Sequence, residues 1–261
     1  MDQPLLEAFQ RSADTGVDEV HMATLVARLL DPQVDLRALT DGLAGLADQC
    51  PHGRAPWESL AGLGFAGNAA DYQSLDNSNL ARVLATRRGI PITLAVVLMH
   101  VARAGGRRAV GVNFPGHFLA EVDGVLVDPF VMEPRDRGEL IERLPQKARG
   151  LSEEALFAPA SPLAVGLRML NNIKLAFAHS AAWDRTLDVV DAQLALTPGV
   201  PALHLERGEL WWRLGVAATA RTAFQRALEL AESADGDDAE HTADAARARL
   251  QALRGADDII H

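Results

Sequence analysis

Asn113 to Phe130 reads NFPGHFLAEVDGVLVDPF, and this stretch decides the fold. Phe118, Ala120 and Val122 alternate ahead of Asp123-Gly124, and Val125 and Val127 alternate after it. Asp-Gly between alternating apolar runs is a strong hairpin signal, because a two-residue type I′ turn needs positive φ at both central positions. With Asp123 and Gly124 as the turn, Val122 pairs with Val125 and Leu119 with Asp128. His117 then lies diagonal to Asp128 on the same face, at roughly 7–8 Å between backbones, within reach of long side chains. A carboxylate beside an imidazole fixes its tautomer and stabilises its cation, which is the base-and-orienter half of a nucleophilic triad.

Working outward, Gly89-Ile90-Pro91 precedes a strongly apolar segment, Ile92 to Ala104, and Gly105-Gly106 ends it. Proline suits the first turn of a helix, where the missing N–H costs nothing, and glycine suits the end. Apolar residues cover nearly the whole circumference, so this helix is predicted to be central and buried. Upstream, residues 4–50 read as helices, including Val20 to Leu30 and Leu36 to Ala47, the latter with Asp35 as its N-cap. Pro51 to Pro56 and the polar run Asp71 to Asn79 are punctuation, and helix resumes near Leu80. A strand at Ala109 to Phe114 leads into the hairpin. Helices, one buried helix and then antiparallel strands make an α+β layout.

The chain has 261 residues, 48% of them hydrophobic, enough for one large domain or two modest ones. No apolar run approaches the roughly 20 residues of a membrane span. The opening MDQPLLEAFQRSADTG has neither the basic start nor the apolar stretch of a secretion signal. One cysteine, Cys50, excludes an intramolecular disulfide and a cysteine-based zinc site. These features lead us to expect a soluble cytoplasmic protein. The formal charge of −10 argues against general nucleic-acid binding. Two arginine groups, Arg82/Arg87/Arg88 and Arg103/Arg107/Arg108, read as solubilising. No cofactor is expected: the histidines His21, His52, His100, His179, His204, His241 and His261 show no metal-ligand spacing, and Gly62-Leu63-Gly64 and Gly105-Gly106 are turn or helix-end signals rather than a phosphate loop.

From Ser161 the chain reads as all-helical, giving a division into residues 1–160 and 161–261. Gly208, Trp211, Gly215, Ala220, Phe224 and Ala227 follow the small–aromatic–turn–small–aromatic–small order of a tetratricopeptide unit. A shift of about 34 residues, the period of that repeat, puts Phe177 under Trp211, Ala181 under Gly215 and Pro198 at the closing proline. The first unit is degenerate, with Lys174, Thr186 and Gln193 at positions usually small. Glu240 to Gly255 fits the polar capping helix that stacked repeats need.

GIPITLAVVLMHVARAGG (89–106), GVNFPGHFLAEV (111–122) and VLVDPF (125–130), with the lead-in SLDNSNLARVLATRRGIPI (74–92), resemble the transglutaminase-like domain of the SirB-type bacterial regulator family. That family joins such a domain, of the papain-like superfamily, to C-terminal tetratricopeptide-like repeats. The resemblance implies an antiparallel sheet packed on the buried helix, and it assigns His117 and Asp128 to the family's His and Asp. The family's Asn-Gly after Asp-Pro-Phe is replaced here by Val131-Met132-Glu133. Related enzymes carry a nucleophilic Cys at the start of the buried helix, where a helix N-terminus lowers a thiol pKa. Matching helix starts puts Pro91, or Ile92 in a shifted register, at that position; neither is a nucleophile. Cys50 is far away in sequence, and Thr93 would need activation by a nearby base.

Two functions follow. The first is a non-catalytic, cytoplasmic protein-binding regulator or scaffold, in which His117 and Asp128 are a remnant dyad. The second is a hydrolase or acyltransferase that uses the dyad with a non-standard nucleophile. A Ser, Thr or Cys near the His117 ring would distinguish them. On the first reading a protein or peptide docks on the repeats, whose first helices line the concave face of the fold. Those helices are Leu163 to His179, with Asn171, Asn172 and Lys174, and Ala202 to Leu214, with His204, Arg207 and Trp212. Adjacent asparagines are poor helix formers because they compete for backbone hydrogen bonds, and a polar groove would explain them. The other reading is that this face packs on the N-terminal domain.

Overall fold

The computed structural model describes residues 1–14, 16–51 and 53–258. Contacts divide the chain into two compact units: Gly16–Met169, and Met1–Thr15 together with Leu170–His261. This differs from a division at 160/161 for two reasons. The first helix, α1 (Gln3–Asp14), packs within the second unit. In the first unit Gly166 sits so close to Met22 that a Cβ there would be 2.2 Å from Met22 Cε.

The first unit begins with α2 (Glu19–Leu30), α3 (Leu36–Asp48) and α4 (Pro56–Gly62). Asp18 caps α2 by accepting from His21 N, and Asp35 caps α3 by accepting from Arg37 N and Ala38 N. A two-stranded parallel sheet joins β1 (Ala66–Gly67) to β2 (Arg88–Gly89). Between them lies α5 (Leu80–Thr86), capped by Asn79. Then comes α6 (Pro91–Ala104), the predicted central helix: from Ile92 to Ala102 every residue but His100 is buried. Pro91 occupies its first turn, and Gly106, at φ +76, closes its end as Arg107 N donates to Ala102 O.

The main sheet has five antiparallel strands in the order β6-β5-β4-β3-β7: β3 (Ala109–Val112), β4 (Leu119–Val122), β5 (Val125–Asp128), β6 (Glu133–Pro134) and β7 (Pro159–Ala160). The fold is therefore α+β, as read from the sequence. One face of β3 and β4 packs on α6: the Cα of Gly111 lies against Phe118 and Met99, where a side chain would collide with the Phe118 ring at 2.7 Å. The opposite face builds a second cluster from Val112, Phe114, Leu119 and Leu126. It is closed by residues of α7 (Arg137–Glu142), a short 3₁₀ turn at Gln146–Ala148 and α8 (Glu153–Leu156).

A partly buried ion pair ties the helical layer of this unit to the sheet. Arg103, at the end of α6, donates to both carboxylate oxygens of Glu19, at 2.6 and 3.2 Å, and to the carbonyl of Ala109 at 2.8 Å. The Glu19 side chain is 5% exposed.

The second unit continues from α9 (Pro162–His179), which begins in the first, through α10 (Trp183–Leu196), α11 (Pro201–Arg213), α12 (Ala217–Glu232) and α13 (Asp237–Asp258). The turns α9–α10 and α11–α12 are alike. Ala181 and Gly215, which the 34-residue shift superimposes, both have positive φ, +53 and +80. Ala220, Phe224 and Ala227 are fully buried, and a Cβ on Gly208 would lie 2.4 Å from the Phe224 ring. The degenerate positions are filled by interior polar side chains: Thr186 bonds back to Ala182 O, and Gln193 keeps a buried oxygen without a partner among the described residues.

Candidate functional site

The hairpin forms as the residues dictate. Asp123 and Gly124 have φ of +50 and +86, and the register is Val122↔Val125, Glu121↔Leu126 and Ala120↔Val127. Asp123 is fixed further by accepting from Arg108 N at 3.0 Å. Alternation places Leu119 and Leu126 on the sheet face away from α6, and Asp128, two residues past Leu126, shares that face. His117 sits one turn ahead of β4. Gly116, at φ +81, allows the bend, His117 N donates to Phe114 O at 3.0 Å, and the side chain is exposed.

His117 and Asp128 line one cleft of about 380 Å³ together with Phe114, Pro115, Gly116, Leu119, Arg135, Glu139, Leu140, Arg143 and Pro145. Its floor is apolar and its rim charged. The structure gives Asp128 different partners from those expected. Its Oδ1 accepts from Phe130 N at 2.9 Å, closing the turn after β5, and its Oδ2 lies 3.6 Å from Arg135 Nε. Among the described residues no hydrogen bond joins Asp128 to the His117 ring. Arg135 is held in place by its own N–H on Leu126 O at 2.8 Å, and its guanidinium also lies 3.7 Å from Glu133.

The positions considered for a nucleophile lie elsewhere. Pro91 opens α6, which packs on the other face of the sheet, and Pro91 does not line the cleft. Thr93 is fully buried in α6, and its hydroxyl has no partner among the described residues. Cys50 is half-buried, and burial pushes its thiol pKa up, the opposite of activation. None of the cleft-lining residues carries a hydroxyl, thiol or primary amine.

The six predicted contact residues of the helices are largely engaged within their own unit. Lys174 Nζ reaches Glu206 at 2.6 Å, joining α9 to α11, and Arg207 Nε lies 2.7 Å from Asp191, joining α11 to α10. The His204 ring bonds to Pro198 O at 2.8 Å. Trp212 meets Phe224 edge-on and carries Arg249 over its ring. Asn171 is exposed and Asn172 half-buried. His204 and Arg207 line a shallow groove of about 290 Å³ with Thr219, Thr222 and Arg226.

Burial lowers the His100 pKa, which Asp18 and the Leu43 carbonyl raise in opposition. His52 and His261 lie outside the described residues. Among the described residues no group of three or more His, Cys, Asp or Glu side chains could hold a metal ion, and no helix is long and apolar enough to cross a membrane.

The cleft residues Arg135, Glu139 and Arg143 escape sequence reasoning. The signal lies in Val131-Met132-Glu133-Pro134. Met132 turns at φ +55, and the short strand after it returns Glu133 beside Asp128 and Pro134 beside Val127, which leaves Arg135 next to the carboxylate.

Comparison with known proteins agrees with this architecture. Residues 58–171 match the model of the transglutaminase-like superfamily. The chain is 36% identical over 201 residues to a UPF0162 protein of Xylella fastidiosa (strain 9a5c), covering 72% of each chain. It is 35% identical over 160 residues to a UPF0162 protein of Pseudomonas aeruginosa, covering 59% of this chain and 58% of that one. A mouse F-box only protein 21 is 28% identical over 167 residues, covering 59% of this chain and 26% of the relative. No solved structure matches.

Proposed function

The chain belongs to the UPF0162 family, and from that premise we propose that it is a non-catalytic transglutaminase-like protein, a regulator or scaffold that binds a protein or peptide. One observation carries this reading: the cleft around His117 and Asp128 is lined without a nucleophile. Acyl transfer through a covalent intermediate needs a thiol or hydroxyl within hydrogen-bond reach of its base. The orienting carboxylate is also committed to Arg135 and a backbone N–H. What remains is an apolar floor of Phe114, Leu119 and Leu140 under a rim of two arginines, a glutamate and a histidine, which suits an amphipathic peptide segment. The regulatory character implied by the SirB-type resemblance is part of this proposal, as is a cytoplasmic location.

The test pairs chemistry with binding. Amine incorporation into glutamine peptides and hydrolysis of activated esters and amides should be no faster with the wild-type chain than with His117→Ala. Turnover that disappears in His117→Ala would overturn the reading in favour of a hydrolase or acyltransferase with an unorthodox nucleophile. Proteins captured by the full chain should be lost on Leu140→Glu, which fills the cleft with charge. Capture that Leu140→Glu leaves untouched would remove the cleft from the proposal.

A further inference from the structure

We propose that α7 is a gate over the His117–Asp128 cleft and that Arg137 is its latch. The helix spans six residues, Arg137–Glu142, and none of them is buried. A helix that short is not stable on its own hydrogen bonds, so its order comes from what it touches. By comparison α5, one residue longer, buries Leu80 and Val83. Leu140 and Ile141 rest partly buried on the second cluster. Among the described residues the one ion pair from α7 to the sheet joins Arg137 Nη2 to Glu121 Oε2 at 2.8 Å. The same guanidinium lies 4.8 Å from the centroid of Phe157, and Phe157 stacks on Phe114 at 5.3 Å. Arg137 therefore joins α7 to β4 and, through two rings, to the lining of the cleft.

The position of α7 decides whether the cleft is closed. Glu139, Leu140 and Arg143 line it from the helix and its C-cap, and Phe114 to His117 line it from the turn before β4. The chain is fixed on either side of the helix. Before it Arg135 N donates to Leu126 O at 2.8 Å, and after it Leu144 is buried in the second cluster. A swing confined to residues 136–143 removes one side of the cleft and uncovers Leu119, which is 1% exposed, while the sheet stays paired. Weakly buried segments open in this way at low free energy, without global unfolding. The purpose of the gate rests on the reading of the cleft as a binding site. A ligand that needs Leu119 must meet the open state, and one that also touches Leu140 favours the closed one.

Hydrogen exchange on the full chain, read by mass spectrometry, tests the gate with the cleft empty. Amides of residues 139–143 should exchange well before those of α6 and β4. Arg137→Gln should speed them about three- to twentyfold, through loss of a partly exposed ion pair and a cation–π contact, and Glu121→Gln about two- to fivefold, with α6 and β4 within about twofold of the wild type. Sodium chloride at about 1 M should speed them in the wild type and not in Glu121→Gln, because screening acts through that pair. Cysteine labelling in a Cys50→Ala background reads the cleft itself. Position 119 faces the cleft and position 120 faces α6, so Arg137→Gln should speed iodoacetamide labelling of Leu119→Cys and leave Ala120→Cys unchanged. Protection of α7 equal to that of β4, exchange unchanged in Arg137→Gln, acceleration shared by α6 and β4, or equal acceleration of labelling at 119 and 120 would overturn the gate. If circular dichroism shows Arg137→Gln unfolded, Glu121→Gln, which keeps the guanidinium available to Phe157, decides on the same readings. None of these readings involves a partner, so a failed gate leaves the binding proposal standing, whereas capture untouched by Leu140→Glu removes the cleft from that proposal and leaves the motion of α7 intact.

Discussion

Gly208→Ala sets two known effects against each other and thereby tests the close packing of α11 on α12. In an open helix this change stabilises by about 0.8–1 kcal/mol, because glycine is the poorer helix former. At position 208 the added methyl would stand 2.4 Å from Cδ1 and Cε1 of Phe224 and 3.0 Å from Cζ. Carbon atoms settle at about 3.5–4 Å, so ring and helix must part by roughly 1 Å. The ring has little room. It is fully buried, Trp212 meets it edge-on at 6.3 Å, and Leu253 and the buried Ala220 complete the cluster. Overpacking of this kind costs about 1–3 kcal/mol. The two effects combine to a net loss of about 1 kcal/mol, within a range of roughly 0–2. Urea unfolding followed by tryptophan fluorescence reads the right region, since Trp183, Trp211 and Trp212 lie in this unit and only Trp57 lies in the other. Gly45→Ala is the control. It changes a glycine inside α3 with nothing within 4 Å of the new methyl, and should gain about 0.8–1 kcal/mol by circular dichroism. Combining Gly208→Ala with Phe224→Leu should cost less than the sum of the single changes, because the shorter side chain vacates the contested space. A Gly208→Ala midpoint that rises as the Gly45→Ala midpoint does would refute the reasoning.

Three further outcomes are expected. Glu19→Ala should destabilise the first unit by about 2–3 kcal/mol in urea unfolding, below the full value for a broken buried pair because Arg103 is 37% exposed to solvent; a double-mutant cycle with Arg103→Ala should show strong coupling. The His100 pKa is lowered in the folded chain, so the unfolded chain binds its proton first and stability falls as pH drops through the ordinary histidine value near 6.5 toward the folded one; His100→Gln should flatten that part of a stability–pH profile, and an unchanged slope would count against the burial of the ring. Cys50 should alkylate with iodoacetamide more slowly at pH 8 than a free thiol of pKa about 8.5, and a faster rate would reopen it as a nucleophile.

The parts of the fold legible in the sequence are those fixed by local rules. Asp123-Gly124 favours a two-residue type I′ turn, and from that turn the hairpin register and the shared face of Leu119 and Leu126 follow. The apolar circumference of Ile92 to Ala102 marks a helix covered on all sides. Ala181 and Gly215 close equivalent turns because the repeat spacing reflects a recurring hairpin. Other features depend on partners distant in the chain. The amphipathic pattern of α1 defines an apolar face without indicating that α10 would cover it. Asp128 could pair with any nearby cation, and nothing in the spacing favours Arg135 over His117, since that choice rests on how β6 turns back. Lys174 and Arg207 are polar residues on helices that sequence alone would expose to a groove. Their carboxylates, Glu206 and Asp191, lie on neighbouring helices and draw them inward.

The two outermost strands, β6 and β7, contain two residues each, and each includes a proline, Pro134 and Pro159. A sheet grows by offering a row of free N–H and C=O groups to an incoming strand, and proline removes a donor from that row. Both margins of this sheet are therefore closed to recruitment. Fibril-like stacking of copies through them is disfavoured, and so is capture of an extended polypeptide as a sixth strand. Recognition by backbone pairing along these edges is thereby disfavoured, which leaves the side chains on the faces and clefts of this unit as the surfaces open to chemistry.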